Sequence, residues 1–148
     1  KASTEDTLIH AIDIMQKKTG KKYEAVITLQ PTSPLRKAET LEAFINEYEK
    51  VALKYDALVS FSEDRTDFWV LDAGGEFERF YPDAPRRRQE RKPLYRENSA
   101  YYITNVNALF ETHSVLGKKA GGFIISETEG IDINEFIDLK VAEAILND

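Results

Sequence analysis

A buried strand gives way to a rigid polar turn in the stretch Thr28-Leu29-Gln30-Pro31-Thr32-Ser33-Pro34-Leu35-Arg36. The apolar run at 25–27 leads into it and predicts the strand. Pro31 and Pro34 end that strand and stiffen the turn, because proline fixes φ and lacks a backbone N–H. Ligands of open α/β sheets bind at the carboxyl ends of strands. We therefore predict that a polyhydroxyl ligand binds at Gln30, Thr32 and Ser33, although Ser33 would equally suit the cap of a following helix.

Helical and strand patterns alternate along the chain, which predicts a layered α/β fold with parallel pairing. Helices are predicted from Ser3 or Thr4 to Gly20 and from Lys37 to Ala52, with strands at 25–29 and 57–61. The residues around Gly74-Gly75 are typical of a β-hairpin. Beyond it the pattern predicts strands at 99–104 and 122–126, a short helix after Asn105, and a last helix that begins near Asp132.

The composition indicates one domain, residues 1–148, with 42% apolar residues for its core. The absence of cysteine excludes disulfides and thiolate sites, and it fits a cytoplasmic protein. No apolar run approaches the roughly 20 residues of a membrane span. The net charge of −6 argues against a general polyanion binder. Neither nucleic acid nor a membrane is therefore expected as a partner.

A basic loop lies between Arg86 and Lys92, and Arg96 follows it. Guanidinium groups match the geometry of carboxylates and phosphates, so this loop is a candidate for anion binding. A solvated charged loop is the alternative, since arginine is rarely buried. A nucleic-acid interface is less favoured because Glu90 and Glu97 interrupt the basic run in an acidic protein.

Three stretches, in the same order, resemble motifs of the acylneuraminate cytidylyltransferases, the CMP-sialic acid synthetases. Gln-Pro-Thr-Ser-Pro-Leu-Arg at 30–36 resembles the family's signature. Residues 96–103 resemble its Arg-x-Asn-Gly-Ala-x-Tyr-Ile segment, and residues 130–139 resemble its closing Asp-Ile-Asp…Asp-Leu segment. The resemblance covers nearly the whole chain. It implies a Rossmann-like nucleotide-diphospho-sugar transferase fold with a mainly parallel sheet and an inserted β-hairpin, near residues 65–98, that mediates dimerisation.

The resemblance also implies a reaction. CMP would pass from CTP to the anomeric hydroxyl of an acidic nine-carbon sugar, and pyrophosphate would leave. N-Acetylneuraminate is the leading substrate, with legionaminate or pseudaminate as the close alternatives. A homodimer is expected.

One family element has no match in this sequence. It is the glycine-rich, basic nucleotide loop that precedes the signature strand. We therefore expect the chain to be the carboxyl-terminal part of a longer enzyme and to be inactive alone. A non-catalytic dimerising or regulatory module is the rival hypothesis.

The closing segment carries the implied metal site. The resemblance places Asp132 and Asn134 at two positions that coordinate Mg²⁺ in the family, where the second residue is also aspartate. Oxygen ligands suit this ion. A helix capping box formed by Asp132 and Glu135 is the alternative.

The remaining implied site residues come from the basic loop and the middle segment. Arg88 is expected to act in catalysis with Asp132, and both Arg88 and Arg96 would face the sugar acid or the triphosphate. Asn98 and Tyr102 would contact the sugar. Ser99 replaces the family's usual glycine and is expected to crowd the site or alter the acyl group that it accepts.

Overall fold

The structure is a computed structural model that describes residues 3–147 of the chain. A single turn of 3₁₀ helix, Arg88–Glu90, lies in the basic loop. The helices and strands follow the chain in the order α1 (Thr4–Thr19), β1 (Ala25–Thr28), α2 (Ala38–Val51), β2 (Ala57–Asp64), β3 (Trp69–Leu71), β4 (Phe77–Arg79), β5 (Leu94–Asn105), α3 (Val106–Thr112), β6 (Ala120–Ile124) and α4 (Phe136–Leu146).

The main sheet has the strand order β1-β5-β2-β6. β2 and β6 are parallel, whereas β5 runs antiparallel to both of its neighbours, β1 and β2. Three of the four strands therefore point the same way, and the predicted mixed α/β class is confirmed. The prediction that the first two strands pair directly is wrong. They are parallel in direction, but the long strand β5 lies between them.

The core lies between α2 and the centre of the sheet. Phe44 of α2 packs against Tyr101 of β5 with ring centroids 5.5 Å apart, and Leu58 of β2 joins the same cluster. A second cluster joins α1 to α3 through Ile12 and Leu109. Because side chains alternate along a strand, Tyr101 faces α2 while Tyr102 faces the other side of the sheet.

Three of the predicted helix ends are confirmed. Ser3 caps α1 by accepting a bond from the N–H of Asp6 at 3.0 Å, Gly20 ends α1 with φ 69°, and the Asn105 side chain caps α3. Ser33 does not cap α2, whose cap residue is Lys37 and has no side-chain bond.

The last helix begins later than predicted. α4 starts at Phe136, and its capping box pairs Glu135 with Asp138 rather than Asp132 with Glu135. The Asp138 carboxylate accepts from the backbone N–H groups of Asn134 and Glu135 at 3.0 and 2.8 Å. Asp132 therefore lies in the loop before the helix and takes no part in its cap.

The predicted hairpin forms a separate two-stranded sheet, β3-β4. Gly75 in its turn has φ 85°, a conformation that favours glycine. Its apolar side chains face solvent, since Trp69 is 49% and Phe77 is 71% exposed. Among residues 3–147, no helix has the length and apolar character needed to cross a membrane.

Candidate functional site

A cleft of about 370 Å³ lies between β5 and the loop that precedes α4. Arg96 contributes a cationic wall from β5, and Asp132 contributes a carboxylate from the loop. The structure therefore brings together two of the predicted site residues from distant parts of the sequence. The other lining residues are Glu127, Thr128, Ile131 and Asp138.

The loop before α4 is bonded to the proline-rich turn. The backbone N–H of Ile133 donates to the carbonyl oxygen of Thr32 at 2.8 Å. Within the turn, the guanidinium of Arg36 and the backbone N–H of Ser33 both donate to the carbonyl oxygen of Gln30. The turn is therefore closed on itself and fixed beside Asp132.

The two segments that meet at this junction carry unsatisfied oxygens. Among the residues that the structure describes, the buried side-chain oxygens without a hydrogen-bond partner are Thr28 Oγ1, Ser33 Oγ and Asp132 Oδ1. Leaving a buried polar group unpaired costs roughly 1–3 kcal/mol, so such atoms call for an explanation. Two of them belong to the stretch at 28–36 and the third to the predicted metal residue, so these oxygens are candidate ligand-binding atoms.

Asp132 and Asn134 are in contact. Asn134 Nδ2 donates to Asp132 Oδ2 at 2.9 Å, and Asp132 Oδ1 is the oxygen that stays unpaired. A flip of the Asn134 amide would turn its carbonyl oxygen toward the same point. No group of three or more His, Cys, Asp or Glu that could hold a metal lies within residues 3–147. These two residues could therefore hold a hard cation only if phosphate or water completes its shell.

Asn98 lies at an irregularity where β5 bulges away from β2. Val59 pairs with Tyr102 and Phe61 with Glu97, so the single residue Ser60 faces four residues of β5. Asn98 is 2% exposed. Its Oδ1 accepts from Ser60 Oγ at 2.6 Å, and its Nδ2 donates to Ser62 Oγ at 2.9 Å. The Asn98 amide therefore holds the bulge in shape. A contact between Asn98 and the sugar stays a prediction, and it would have to be made by the second N–H of the amide.

Ser99 follows with φ 60°, in the left-handed region that glycine adopts without strain. The backbone explains why the resembled motif has glycine at this position. The Ser99 hydroxyl lies 3.4 Å from the hydroxyl of Tyr102.

Tyr102 is buried and donates its hydroxyl hydrogen to the carboxylate of Glu97. Burial, this bond and the charges of Glu97 and Asp132 raise the pKa of Tyr102 to about 12. The phenol therefore stays protonated at neutral pH and remains a donor.

The arginines of the basic loop and of the start of β5 divide into two kinds. Arg91 is 13% exposed at its side chain; it pairs with Asp67 and donates to three backbone carbonyls, so it holds the loop together. Arg88 and Arg96 are exposed, and neither side chain bonds to another described residue. Hydrogen bonds from Thr66 chiefly lower the pKa of Asp64, and the charges of Arg96 and Arg88 add to this effect. Both guanidinium groups are free to meet an anion, although Arg88 does not line the cleft.

Sequence reasoning missed Glu129. Its carboxylate is 4% exposed and bonds to the start of α2 and to the hydroxyl of Tyr101. Nothing in the sequence distinguishes it from its exposed neighbour Glu127. The three hydrogen-bond donors to Glu129 come from two segments that are distant in the sequence. The burial of Glu129 can therefore be recognised only in the folded structure.

No family model matches the chain. Sequence comparison finds the N-acylneuraminate cytidylyltransferase of Escherichia coli, 25% identical over 98% of this chain and 34% of that protein. The CMP-N,N'-diacetyllegionaminic acid synthase of Legionella pneumophila is 28% identical over 97% of this chain and 63% of that protein. The resemblance deduced from the motifs is thereby confirmed. The chain spans about a third of the first relative and less than two thirds of the second.

Structure comparison finds the same fold in a solved complex of CMP:2-keto-3-deoxy-manno-octonic acid synthetase with CTP. The TM-score is 0.61 at 13% identity, over 99% of this chain and 69% of that one. This likeness confirms the predicted Rossmann-like layered α/β fold.

Proposed function

We propose that this chain carries the sugar-binding and metal-binding parts of a cytidylyltransferase that acts on an acidic nine-carbon sugar. The observation that carries the proposal is the bond from Ile133 to Thr32. It joins the stretch at 28–36 to the Asp132 loop beside the Arg96 cleft, and these two segments carry three unpaired buried oxygens. The names of the two sequence relatives support the same reaction class.

The proposed reaction is an in-line displacement at phosphorus. The anomeric oxygen of the sugar attacks the α-phosphorus of CTP, the bond from that phosphorus to the bridging oxygen breaks, and pyrophosphate leaves. The hydroxyl proton passes to solvent or to a nearby carboxylate. Most of the rate would come from positioning and from charge stabilisation, as in other phosphoryl transfers.

The described side chains fit such substrates by charge and by hydrogen bonding. Arg96 in the cleft wall would pair with the sugar carboxylate or a phosphate, and Arg88 would add positive charge from the basic loop. Gln30 and the hydroxyls of Thr32 and Ser33 would orient the sugar. Tyr102, whose single O–H is donated to Glu97, would accept a hydrogen bond from a sugar hydroxyl.

One observation of the structure supports a magnesium site: the Oδ1 of Asp132 is buried and has no hydrogen-bond partner. Asp132 and the amide oxygen of Asn134 would hold the ion. Mg²⁺ supplies charge neutralisation at phosphate oxygens when it is bound. Because Asn134 brings no charge, we expect weaker affinity than two carboxylates would give.

N-Acetylneuraminate remains the first candidate for the sugar, and a legionaminate-type sugar is the second. One sequence relative is named for each of these two classes. Ser99 is the residue at which the choice could be made, because its hydroxyl lies beside Tyr102 where the resembled motif has no side chain.

We propose that the nucleotide site is incomplete within residues 3–147. A phosphate-binding loop needs successive backbone N–H groups at the start of a helix. Gly74-Gly75 lies in the hairpin turn and Gly121-Gly122 lies within β6, so neither pair opens a helix. We therefore propose that the 148-residue chain alone turns over poorly.

The test is pyrophosphate release from CTP and Mg²⁺ with N-acetylneuraminate, legionaminate or 2-keto-3-deoxy-manno-octonate as acceptor. It should be run on the 148-residue chain and on the product of its complete gene. We expect turnover by the complete product with a nine-carbon acceptor and little by the chain alone. Absence of turnover by the complete product with every acceptor would refute the proposal and favour the non-catalytic module.

A further inference from the structure

Glu129 is a buried acid without a cationic partner among the described residues. Its Oε1 accepts from the hydroxyl of Tyr101 and from the backbone N–H of Lys37 at 3.1 Å. Its Oε2 accepts from Thr40 Oγ1 at 2.9 Å. Three donors thus satisfy a carboxylate that is 4% exposed.

Two of these donors belong to the start of α2. Lys37 is the cap residue of that helix and Thr40 lies in its first turn. The N-terminus of a helix carries partial positive charge from its unsatisfied N–H groups, so it stabilises a nearby carboxylate. α2 has no side-chain cap of its own, and Glu129 supplies that cap from the loop before α4.

The same loop is fixed at two further points. Gly130 packs so closely that a Cβ there would lie 2.4 Å from Ser62 Oγ and 2.8 Å from Asn98 Nδ2. Ile133 is bonded through its N–H to Thr32. Asp132 lies between the last two points, and among residues 3–147 its side chain bonds only to Asn134.

We propose that Glu129 is a positioning residue, which ties the loop to the start of α2 and thereby holds Asp132 at the cleft. The inference deepens the proposed function and rests on it for its catalytic consequence. Its structural consequence, a fixed loop from Glu129 to Asn134, can be tested whether or not the chain is an enzyme.

The variants are Glu129→Ala and Glu129→Gln, with Glu39→Ala and Glu39→Gln as controls. Glu39 is an exposed acid in the first turn of α2, so it gives the same change of charge near the same helix end. Glutamine keeps the shape and one acceptor oxygen but loses the charge. Glu129→Gln should therefore keep part of the protection of the loop that Glu129→Ala removes.

The first measurement is backbone hydrogen exchange of the 148-residue chain. Glu129→Ala should speed exchange at 130–134 by about tenfold or more, while β2 and β5 exchange as in the wild type. Glu129→Gln should give an intermediate value, and it carries the test if the alanine variant does not fold. Unchanged exchange at 130–134, or an equal rise along the whole chain, would overturn the proposal.

The second measurement is steady-state kinetics of the complete gene product. Misplacement of a metal-binding carboxylate should lower kcat by roughly a hundredfold in Glu129→Ala and leave the KM for CTP within about twofold. The Glu39 variants should match the wild type. A wild-type kcat in Glu129→Ala would overturn the positioning role. A wild type without turnover would refute the proposed function, and the exchange result would then decide the structural claim alone.

Discussion

The N–H of Ile133 donates to the carbonyl oxygen of Thr32 at 2.8 Å, a backbone bond between two stretches that are distant in the sequence. Backbone groups make this junction, so the side chains on either side of it remain available. Thr32 is exposed, and Asp132 keeps one oxygen unpaired. The candidate site thus lies where the end of a strand meets the loop before the last helix.

Removal of the Asp132 carboxylate and removal of the Asp138 carboxylate should have different effects on the free energy of unfolding. Asp138 belongs to the capping box of α4, so Asp138→Ala should cost about 1 kcal/mol of unfolding free energy. Asp132→Ala removes an unpaired buried oxygen and should leave stability unchanged or higher, but should abolish turnover of the complete gene product. Urea unfolding and pyrophosphate release measure the two effects. A loss of stability without a loss of turnover in Asp132→Ala would show that this residue is structural.

Ser99 tests the strain of the bulge. A non-glycine residue in the left-handed region costs about 1–2 kcal/mol. Ser99→Ala keeps that cost and removes the hydroxyl, whereas Ser99→Gly removes both. The glycine variant should therefore unfold at higher urea concentration than the alanine variant. If alanine is equally stable, the conformation at residue 99 carries no strain.

Alkaline titration tests the environment of Tyr102. Its pKa is raised to about 12, so the folded state binds the phenolic proton more tightly than the unfolded state. This contribution to stability is complete below the ordinary tyrosine pKa of about 10 and is lost as the pH rises toward 12. Absorbance of tyrosinate should show a late-titrating group that Tyr102→Phe removes. Burial likewise raises the pKa of Tyr101, so Tyr101→Phe serves as the comparison. A titration curve that is the same in Tyr102→Phe would contradict this account.

The hairpin should mediate self-association. A lone two-stranded hairpin with exposed apolar side chains is marginal in water and needs a partner surface. Sedimentation at micromolar concentration should give twice the chain mass of 16.9 kDa. Phe77→Glu should produce monomers, whereas Leu53→Glu, at a fully exposed position at the end of α2, should not. A wild-type monomer would contradict the prediction.

Local signals predicted much of the fold. Apolar periodicity gave the four helices of residues 3–147 to within a few residues at most ends, and the caps at Ser3, Gly20 and Asn105 follow from the chemistry of single residues. Strand order could not be predicted, because the alternation of helices and strands does not say which strands become neighbours. The insertion of β5 between β1 and β2 depends on contacts between distant segments.

The candidate site was predictable only in part. Motif matching identified Asp132, Arg96 and the turn at 30–36, which the structure brings together. It could not show that the Asn98 amide is occupied by Ser60 and Ser62, because these bonds depend on the bulge. It also gave no sign of Glu129, whose importance comes from burial rather than from sequence.

The claim that the cleft beside Asp132 binds the substrates is tested most directly by the effect of Arg96→Ala on pyrophosphate release by the complete gene product. Arg87→Ala is the matched control, since Arg87 is an exposed arginine of the basic loop that pairs with Glu90. We expect Arg96→Ala to lower kcat/KM for the acidic sugar by roughly a hundredfold, because a charge-assisted hydrogen bond is lost. Arg87→Ala should change it by less than about twofold. Equal activity of the two variants would show that the cleft beside Asp132 is not where the sugar acid or the triphosphate binds.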